Sequence, residues 1–177
     1  MNTRRRFAWH GMGVLVLSAM ALIAQAQESP LLGTKPSSTQ RYQVWGFEIY
    51  DARLWTQPGF TVQNYTASPF ALELSYLRSF DGTAIAKRCM DEMHKLGNIS
   101  AAQEKDWLKA MTELFPNVRQ GDRLVGIYKP NEGAEFWFQQ KRLGAVNDPQ
   151  FAKLFFGIWL HEATSAPAIR QAWAKGL

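Results

Sequence analysis

The chain has 177 residues and a formal net charge of +5, from 20 lysines and arginines against 15 aspartates and glutamates. Its single cysteine, Cys89, excludes an intrachain disulfide, so stability must come from packing. No block of five or six like charges occurs, and no basic stripe alternates with aromatics, so no nucleic-acid partner is predicted.

The first 26 residues have the three parts of a cleavable signal peptide. Arginines at positions 4–6 form the basic start, residues 12–23 form an apolar run, and small residues at Ala24 and Ala26 suit a signal peptidase. We therefore expect a periplasmic or secreted protein that begins at Gln27. The run is shorter than the roughly 20 residues of a bilayer-spanning helix, so no membrane span is predicted after signal removal. The paired arginines also fit the twin-arginine pattern, but no cofactor motif follows, which favours the general export route.

Residues 27–40 are predicted to be a flexible lead-in, and residues 41–177 a single domain. The lead-in contains two prolines, a glycine and small polar residues without any period. The remaining length is sufficient for one domain with a substantial core.

Two long strands are predicted at the start of the domain. In residues 42–55 the side chains of Tyr50, Ala52 and Leu54 share one face, and in residues 70–77 apolar residues again alternate. Both faces of these strands carry apolar residues, which is typical of a sheet that is covered on both sides.

Helical periodicity follows over residues 82–97 and 100–115. In the first helix Cys89 lies on the apolar stripe and Arg88 on the solvent side. The second helix begins at a capping box of Ser100 and Gln103. Because the helices form a block between groups of strands, the order predicts an α+β fold rather than alternating βαβ units.

The last third predicts a strand, a tight turn, a strand, a loop and a buried helix. The turn lies at residues 131–133, and the loop ends at Asp148. Asp148 and Pro149 supply an N-cap and a first-turn proline for a helix over residues 148–161.

The sequence contains no motif of a known catalytic or metal site. It has no glycine-rich phosphate loop, no nucleophile elbow and no zinc-protease helix, and His94 and His161 lack ligand spacing to acids or to the cysteine. No metal, no cofactor and no catalytic residue is therefore assigned. Cys89 is interpreted as a buried structural residue.

Polar residues inside the predicted strands are the candidate ligand contacts. Arg53 would stay protonated even when buried, and would donate to a carboxylate or phenolate. Tyr50, Tyr76 and Tyr128 supply hydroxyl groups on three separate strands.

A structural interpretation of the same residues remains open. Asp51, Arg53, Arg78, Asp122 and Arg123 would then pair across strands and fix the register of the sheet. The tyrosines would be ordinary strand residues with wet tips.

Four segments together resemble the bacterial branch of the chalcone isomerase-like family. They are VWGFEIYDARLW at residues 44–55, GDRLVGIYKP and NEGAEFWF at residues 121–138, and RLGAVNDPQFAKLFFGIWL at residues 142–160. The resemblance covers about residues 41–170. It implies an exported protein with an open-faced β-sandwich, in which an antiparallel sheet carries a layer of helices on one face. A ligand cleft is then expected between the sheet and the helices.

Plant-type enzymes of this family use a strand arginine together with threonine, tyrosine and asparagine side chains. The resemblance puts Ile49 where those enzymes keep the threonine, and makes Arg41 the nearest candidate for the arginine. The helix over residues 100–115 contains no tyrosine to match theirs. These differences argue against flavonoid cyclisation. Noncatalytic relatives bind fatty acids through an arginine and a tyrosine. The resemblance implies this role for Arg41 or Arg53 together with Tyr50.

We therefore expect a protein that binds a small amphipathic acid, fatty or aromatic, in this cleft without flavonoid cyclisation. The candidate contacts are Arg41, Tyr50, Arg53, Tyr76 and Tyr128. One alternative is an isomerase or intramolecular lyase that acts on a phenolic enone. Another is a protein whose cleft is fully packed and which contacts a partner. The sequence does not indicate the ligand or the oligomeric state.

Overall fold

The computed structural model describes residues 29–177. The predicted signal peptide, residues 1–26, and its cleavage site lie outside the described residues. Within residues 29–177 no helix has both the length and the apolar character that crossing a membrane requires.

Residues 29–177 contribute seven strands to one antiparallel sheet. In sheet order the main path is β1, β3, β4, β5, β6, β7, and β2 pairs with β3 on the same edge as β1. The strands are β1 (Lys35–Pro36), β2 (Gln40–Val44), β3 (Phe47–Thr56), β4 (Phe70–Tyr76), β5 (Arg123–Lys129), β6 (Gly133–Phe138) and β7 (Lys141–Val146).

One face of the sheet, here called the inner face, is covered by helices. They are a 3-10 helix (Val62–Ala67) and the α-helices α1 (Gly82–His94), α2 (Ala101–Leu114), α3 (Pro149–Leu160) and α4 (Pro167–Gly176). The architecture confirms the predicted α+β fold with an open antiparallel sheet.

Helix α3 forms the centre of the core. Its start is fixed by Asp148, whose carboxylate accepts hydrogen bonds from the backbone N–H groups of Gln150 and Phe151 at 2.8 and 3.1 Å. Phe151, Phe156 and Leu160 are completely or almost completely buried. Because the helix is apolar on nearly all sides, it packs between the sheet and the other helices rather than at the surface.

The predicted capping box is confirmed. The Ser100 hydroxyl accepts from the Gln103 backbone N–H, and the Gln103 side chain accepts from the Ser100 backbone N–H at 3.1 Å.

Four elements were not predicted: β1, the 3-10 helix, β7 and α4. In addition, the run 42–55 was predicted as one strand, but Trp45 and Gly46, both with positive φ, form a turn that divides it into β2 and β3. The predicted loop before Asp148 contains β7, an edge strand whose burial pattern has no clean alternation and whose Gly144 further weakens the strand signal. Helix α4 buries only Ile169 and Trp173, so its apolar stripe is too narrow to stand out in the sequence.

The lead-in, predicted as flexible over residues 27–40, makes specific contacts in its second half. The Ser37 backbone N–H donates to the Leu54 carbonyl at 2.8 Å, and the Trp173 indole N–H donates to the Ser38 carbonyl at 3.0 Å. Strand β1 also pairs with the end of β3. Pairing to a strand edge and to α4 therefore orders a segment whose composition alone suggests a loop.

The opposite, outer face of the sheet carries a small apolar cluster. Trp55, Ala71, Val125 and Ile127 are buried there. Partly buried Trp137 packs against them. The strands carry apolar residues on both faces because some outer-face side chains are buried in this second cluster.

Candidate functional site

A cavity of about 550 Å³ lies between the inner face of the sheet and helices α1 and α3. Its volume falls within the range of small-molecule sites. Trp45, in the turn between β2 and β3, lines the cavity and is 94% exposed. The cavity therefore reaches the protein surface at this turn. The apolar wall includes Ile49, Leu74, Phe80, Ile85, Phe115, Leu124, Phe155 and Ile158.

Three tyrosines form a row along the sheet wall of this cavity. Tyr42 of β2 is the register partner of Tyr50 of β3, which is in turn the partner of Tyr76 of β4. The rings of Tyr42 and Tyr50 stack with centroids 5.0 Å apart, and those of Tyr50 and Tyr76 meet edge to face at 6.1 Å. All three line the cavity, and we call them the tyrosine row.

Burial keeps the inner hydroxyl groups of this row neutral. It raises the pKa of Tyr50 well above the ordinary tyrosine value, although the hydrogen bond that the Trp159 indole N–H donates at 2.9 Å acts in the opposite direction. Burial likewise raises the pKa of Tyr76. Both residues therefore present protonated phenols to the cavity at neutral pH.

A second group of polar side chains, here called the rim cluster, lies on the helix side. Arg88 Nη2 and Lys95 Nζ contact Glu92 Oε1 at 2.5 and 2.8 Å, and the Ser165 hydroxyl donates to Glu92 Oε2 at 2.6 Å. The Glu92 side chain is 6% exposed, whereas that of Arg88 is 63% exposed. Two cations surround one carboxylate, so the rim cluster carries a net charge of +1.

The rim carboxylate stays ionised near neutral pH. Burial acts to raise the pKa of Glu92, but the hydrogen bonds from Lys95 and Ser165 and the positive charge of Arg88 outweigh it and lower the pKa. On the same wall, burial raises the pKa of the Cys89 thiol to about 12. A thiol that stays protonated is a poor nucleophile, so Cys89 serves as part of the cavity wall.

The family follows from a comparison of the sequence with known families. A family model described as chalcone isomerase-like matches residues 38–172. The chain belongs to the chalcone isomerase-like family. A search of curated proteins finds no match.

The fold is similar to the crystal structure of a fatty-acid binding protein of Arabidopsis thaliana. The TM-score is 0.62 at 8% sequence identity, and the match covers 82% of this chain and 89% of that chain. At this level of identity the similarity shows the chalcone isomerase-like fold alone.

Two of the five residues predicted to contact a ligand, Tyr50 and Tyr76, line the cavity of this chalcone isomerase-like domain. Tyr128 also lies on the inner face, but its ring stacks on Phe70 at 5.2 Å and its hydroxyl points to the Thr66 carbonyl at 3.4 Å. It does not line the cavity.

The two predicted arginines lie outside the cavity. Arg41 contacts Asp51 and Glu48 at 2.8 and 2.6 Å in a half-exposed ion-pair group. Arg53 donates to the Thr39 hydroxyl at 2.8 Å and occupies a register position opposite Glu73. Asp51 therefore forms a cross-strand ion pair, as the structural interpretation of the strand charges expects, but its partner is Arg41, which that interpretation did not include.

Sequence reasoning missed the basic residue that does line the cavity. Arg88 was predicted on the solvent side of α1, and it is largely exposed, yet it also forms part of the cavity wall. Its spacing of four residues to Glu92 marks an ion pair on one helix face. Nothing in that spacing shows that the pair lies beside a cavity.

Within residues 29–177 no group of three or more histidine, cysteine, aspartate or glutamate side chains is placed to hold a metal ion.

Proposed function

We propose that this protein binds a small amphipathic carboxylic acid, fatty or aromatic, in the cavity between sheet and helices. The observation that carries the proposal is the combination of a largely apolar cavity of about 550 Å³ with one positively charged cluster at its rim. Ligand pockets commonly have this form, in which apolar walls hold the body and a few polar groups fix the orientation.

Arg88 is the residue that we assign to the acidic end of the ligand. A guanidinium group carries five N–H donors in a planar fork, and the contact of Nη2 with Glu92 leaves donors for a ligand carboxylate. Lys95, the residue that follows α1, adds a second positive charge beside Glu92. Glu92 holds Arg88 in place, so the side chain has less freedom to lose when the ligand binds.

The apolar body of the ligand would fill the space between the sheet and α3. Leu74, Phe155 and Ile158 face this space from opposite sides. The described function of the similar Arabidopsis protein, fatty-acid binding, supports this assignment. The resemblance puts Ile49 where the plant-type enzymes keep a threonine, which argues against the alternative, an isomerase or intramolecular lyase for a phenolic enone.

The first test is native mass spectrometry of the mature protein as purified. We expect a copurifying fatty or aromatic acid that is released on denaturation. Turnover of a hydroxychalcone faster than its spontaneous cyclisation would favour the isomerase alternative. A protein without bound acid, without turnover and without measurable binding of added dodecanoic acid would contradict the proposal.

The second test measures dodecanoic acid binding by calorimetry for Arg88→Met and two control variants. Loss of a charge-assisted hydrogen bond of about 1.5 to 3 kcal/mol should weaken binding by about tenfold or more. Lys87→Met removes an exposed charge from the same helix outside the cavity wall, and should bind like the wild type. Arg53→Met tests the sequence-based assignment, and we expect unchanged affinity because Arg53 lies outside the cavity lining. Equal affinities for Arg88→Met and Lys87→Met would exclude Arg88 as the anchor.

We also propose that the protein is exported and acts in the periplasm or outside the cell. The proposal depends on the basic start, the apolar run and the small residues that precede Gln27. N-terminal sequencing of the protein from the extracytoplasmic fraction should begin at Gln27. Retention of Met1 on a cytoplasmic protein would contradict export.

A further inference from the structure

The hydroxyl group of Tyr76 has no hydrogen-bond partner among residues 29–177, although the residue is only 4% exposed. In the same part of the chain, no buried side-chain nitrogen or oxygen is both without a partner and out of reach of solvent. The Tyr76 hydroxyl must therefore be accessible from the cavity that its side chain lines.

Tyr65 and Tyr128, two inward-facing tyrosines outside the cavity lining, differ from Tyr76 in this respect. The hydroxyl of Tyr65 donates to the Lys153 carbonyl at 3.0 Å, and that of Tyr128 lies 3.4 Å from the Thr66 carbonyl. Both of these acceptors are backbone groups of the folded chain itself. The hydroxyl hydrogen of Tyr76, in contrast, is available to a ligand in the cavity.

Tyr50, the register partner of Tyr76, also has an unused donor. Its oxygen accepts the indole N–H of Trp159 at 2.9 Å, and its own hydrogen has no acceptor among the described residues. A tyrosine hydroxyl can donate one hydrogen bond and accept others, so this contact leaves its donor capacity unchanged. Two neutral donors therefore face the cavity from adjacent strands.

The tyrosine row and the three cavity-lining residues of the rim cluster, Arg88, Glu92 and Ser165, lie on different walls of the cavity. The row belongs to the sheet, whereas Arg88 and Glu92 belong to α1 and Ser165 precedes α4. When the ligand carboxylate binds Arg88, the apolar body of the ligand would lie against the sheet wall. An unsubstituted hydrocarbon would bury the free hydroxyl groups without replacing their hydrogen bonds to water, which is unfavourable.

Building on the proposed function, we propose that Tyr76 and Tyr50 form a second polar subsite, which binds an oxygen atom carried on the apolar body of the ligand. The preferred ligand is then an oxygenated acid, with a carboxylate at one end and a carbonyl or hydroxyl oxygen along the body. Sites built to pair with a polar group reject analogues that lack it, since the buried donors of the site remain unsatisfied.

The experiment compares dodecanoic acid with the isomeric oxododecanoic acids that carry one ketone at successive carbons. Calorimetry on the mature wild-type protein should show at least one isomer that binds about three- to tenfold more tightly than dodecanoic acid, the gain expected for one hydrogen bond. Cinnamic and 4-hydroxycinnamic acid provide the same comparison for an aromatic body.

Tyr76→Phe should abolish this gain and should bind dodecanoic acid at least as tightly as the wild type, because no Tyr76 hydroxyl is then buried without a partner. The substitution removes only an oxygen that has no protein partner, so the variant should keep its fold and its thermal midpoint. Tyr128→Phe is the matched control, because it removes a hydroxyl from an inward-facing tyrosine outside the cavity lining. This control should retain the full preference for the oxygenated acid.

The outcomes separate this inference from the proposed function. Binding of dodecanoic acid with no gain for any oxygenated acid would overturn the second subsite and leave the proposed function intact. An equal loss for dodecanoic acid and its oxo isomers in Tyr76→Phe would show that Tyr76 contacts the carboxylate, which also overturns the inference. Failure of every acid to bind would overturn both.

Discussion

The indole N–H of Trp159 in α3 donates a 2.9 Å hydrogen bond to the hydroxyl of Tyr50 in β3, 109 residues away in sequence. The two rings also meet edge to face, with centroids 6.5 Å apart. This contact joins the central helix directly to the sheet at the cavity wall. The hydrogen bond fixes the position of the Tyr50 oxygen, and the hydroxyl hydrogen remains available to another acceptor.

We expect the Trp159–Tyr50 hydrogen bond to contribute about 0.5 to 1.5 kcal/mol to the free energy of unfolding. The measurement is a double-mutant cycle with Trp159→Phe, Tyr50→Phe and the double variant in urea. The cycle separates the pair interaction from the loss of packing around the smaller ring. Strictly additive single changes would show that the contact contributes nothing.

Phe156→Ala should lower the free energy of unfolding by about 3 to 5 kcal/mol, because it leaves a large void in the core. Phe156 is completely buried, and its ring contacts those of Phe70, Tyr128 and Phe155 at centroid distances of 5.1, 5.6 and 5.2 Å. Leu32→Ala is the control, since Leu32 is 92% exposed and its truncation should change stability by less than about 0.5 kcal/mol. Similar denaturation midpoints for the two variants would contradict this placement of α3.

Two glycine substitutions separate backbone strain from steric clash. Gly133 has a φ of 145°, and a Cβ added there would lie 2.1 Å from the Val146 carbonyl oxygen. Gly133→Ala should therefore cost about 2 to 5 kcal/mol of stability. Gly46 has a φ of 80° but no atom within 4 Å of such a Cβ, so Gly46→Ala should cost only about 1 to 2 kcal/mol. Urea denaturation of both variants measures the free energy of unfolding that each one loses. Equal losses would exclude a clash between β6 and the end of β7.

Glu92 should make stability depend on pH in the acidic range. Its pKa is lowered in the folded protein, so the stability that it contributes is complete above the ordinary glutamate pKa of about 4.3. That contribution is lost as pH falls through the lower folded-state value. Denaturation of wild type and Glu92→Gln at several pH values should show curves that converge below about pH 4.

At neutral pH, Glu92→Gln should cost about 1.5 to 3 kcal/mol, because charged hydrogen bonds to Lys95 and Ser165 are weakened. Arg88 and Lys95 are more than half exposed, so water can solvate the charges that are left. A stability difference that stays constant from pH 7 to pH 3 would mean that Glu92 does not titrate as proposed.

The strong periodic signals in the sequence predicted the main elements correctly. Residues 82–97, 100–115 and 148–161 were predicted as helices, and the structure has α1, α2 and α3 there with ends shifted by up to three residues. Apolar periodicity and capping residues determine such elements locally. The weakly periodic segments were missed for two different reasons. Strand β7 is an edge strand that pairs with the neighbouring β6 and lacks clean alternation, whereas α4 packs on β2 and the 3-10 helix, which are distant in sequence.

The candidate site was harder to predict, although part of the answer was present in the strand geometry. Tyr50 and Arg53 are three residues apart, so on a regular strand they point to opposite faces and cannot share one cleft. Arg41 adjoins Tyr42, the register partner of Tyr50, and is excluded by the same argument once the pairing is known. The position of Arg88 beside the cavity depends on how α1 packs on the sheet, which no local pattern encodes.

The hydrogen bond from Trp173 to the Ser38 carbonyl joins residues 135 positions apart, so α4 secures the segment that leads into β2. Strand β2 carries Tyr42, the outer member of the tyrosine row. During synthesis, a chain whose α4 has not yet folded therefore lacks one support of the cavity wall, even when the rest of the sheet has formed. Contacts of such large sequence separation slow folding, so this domain should acquire its binding site late, as one of its last folding events.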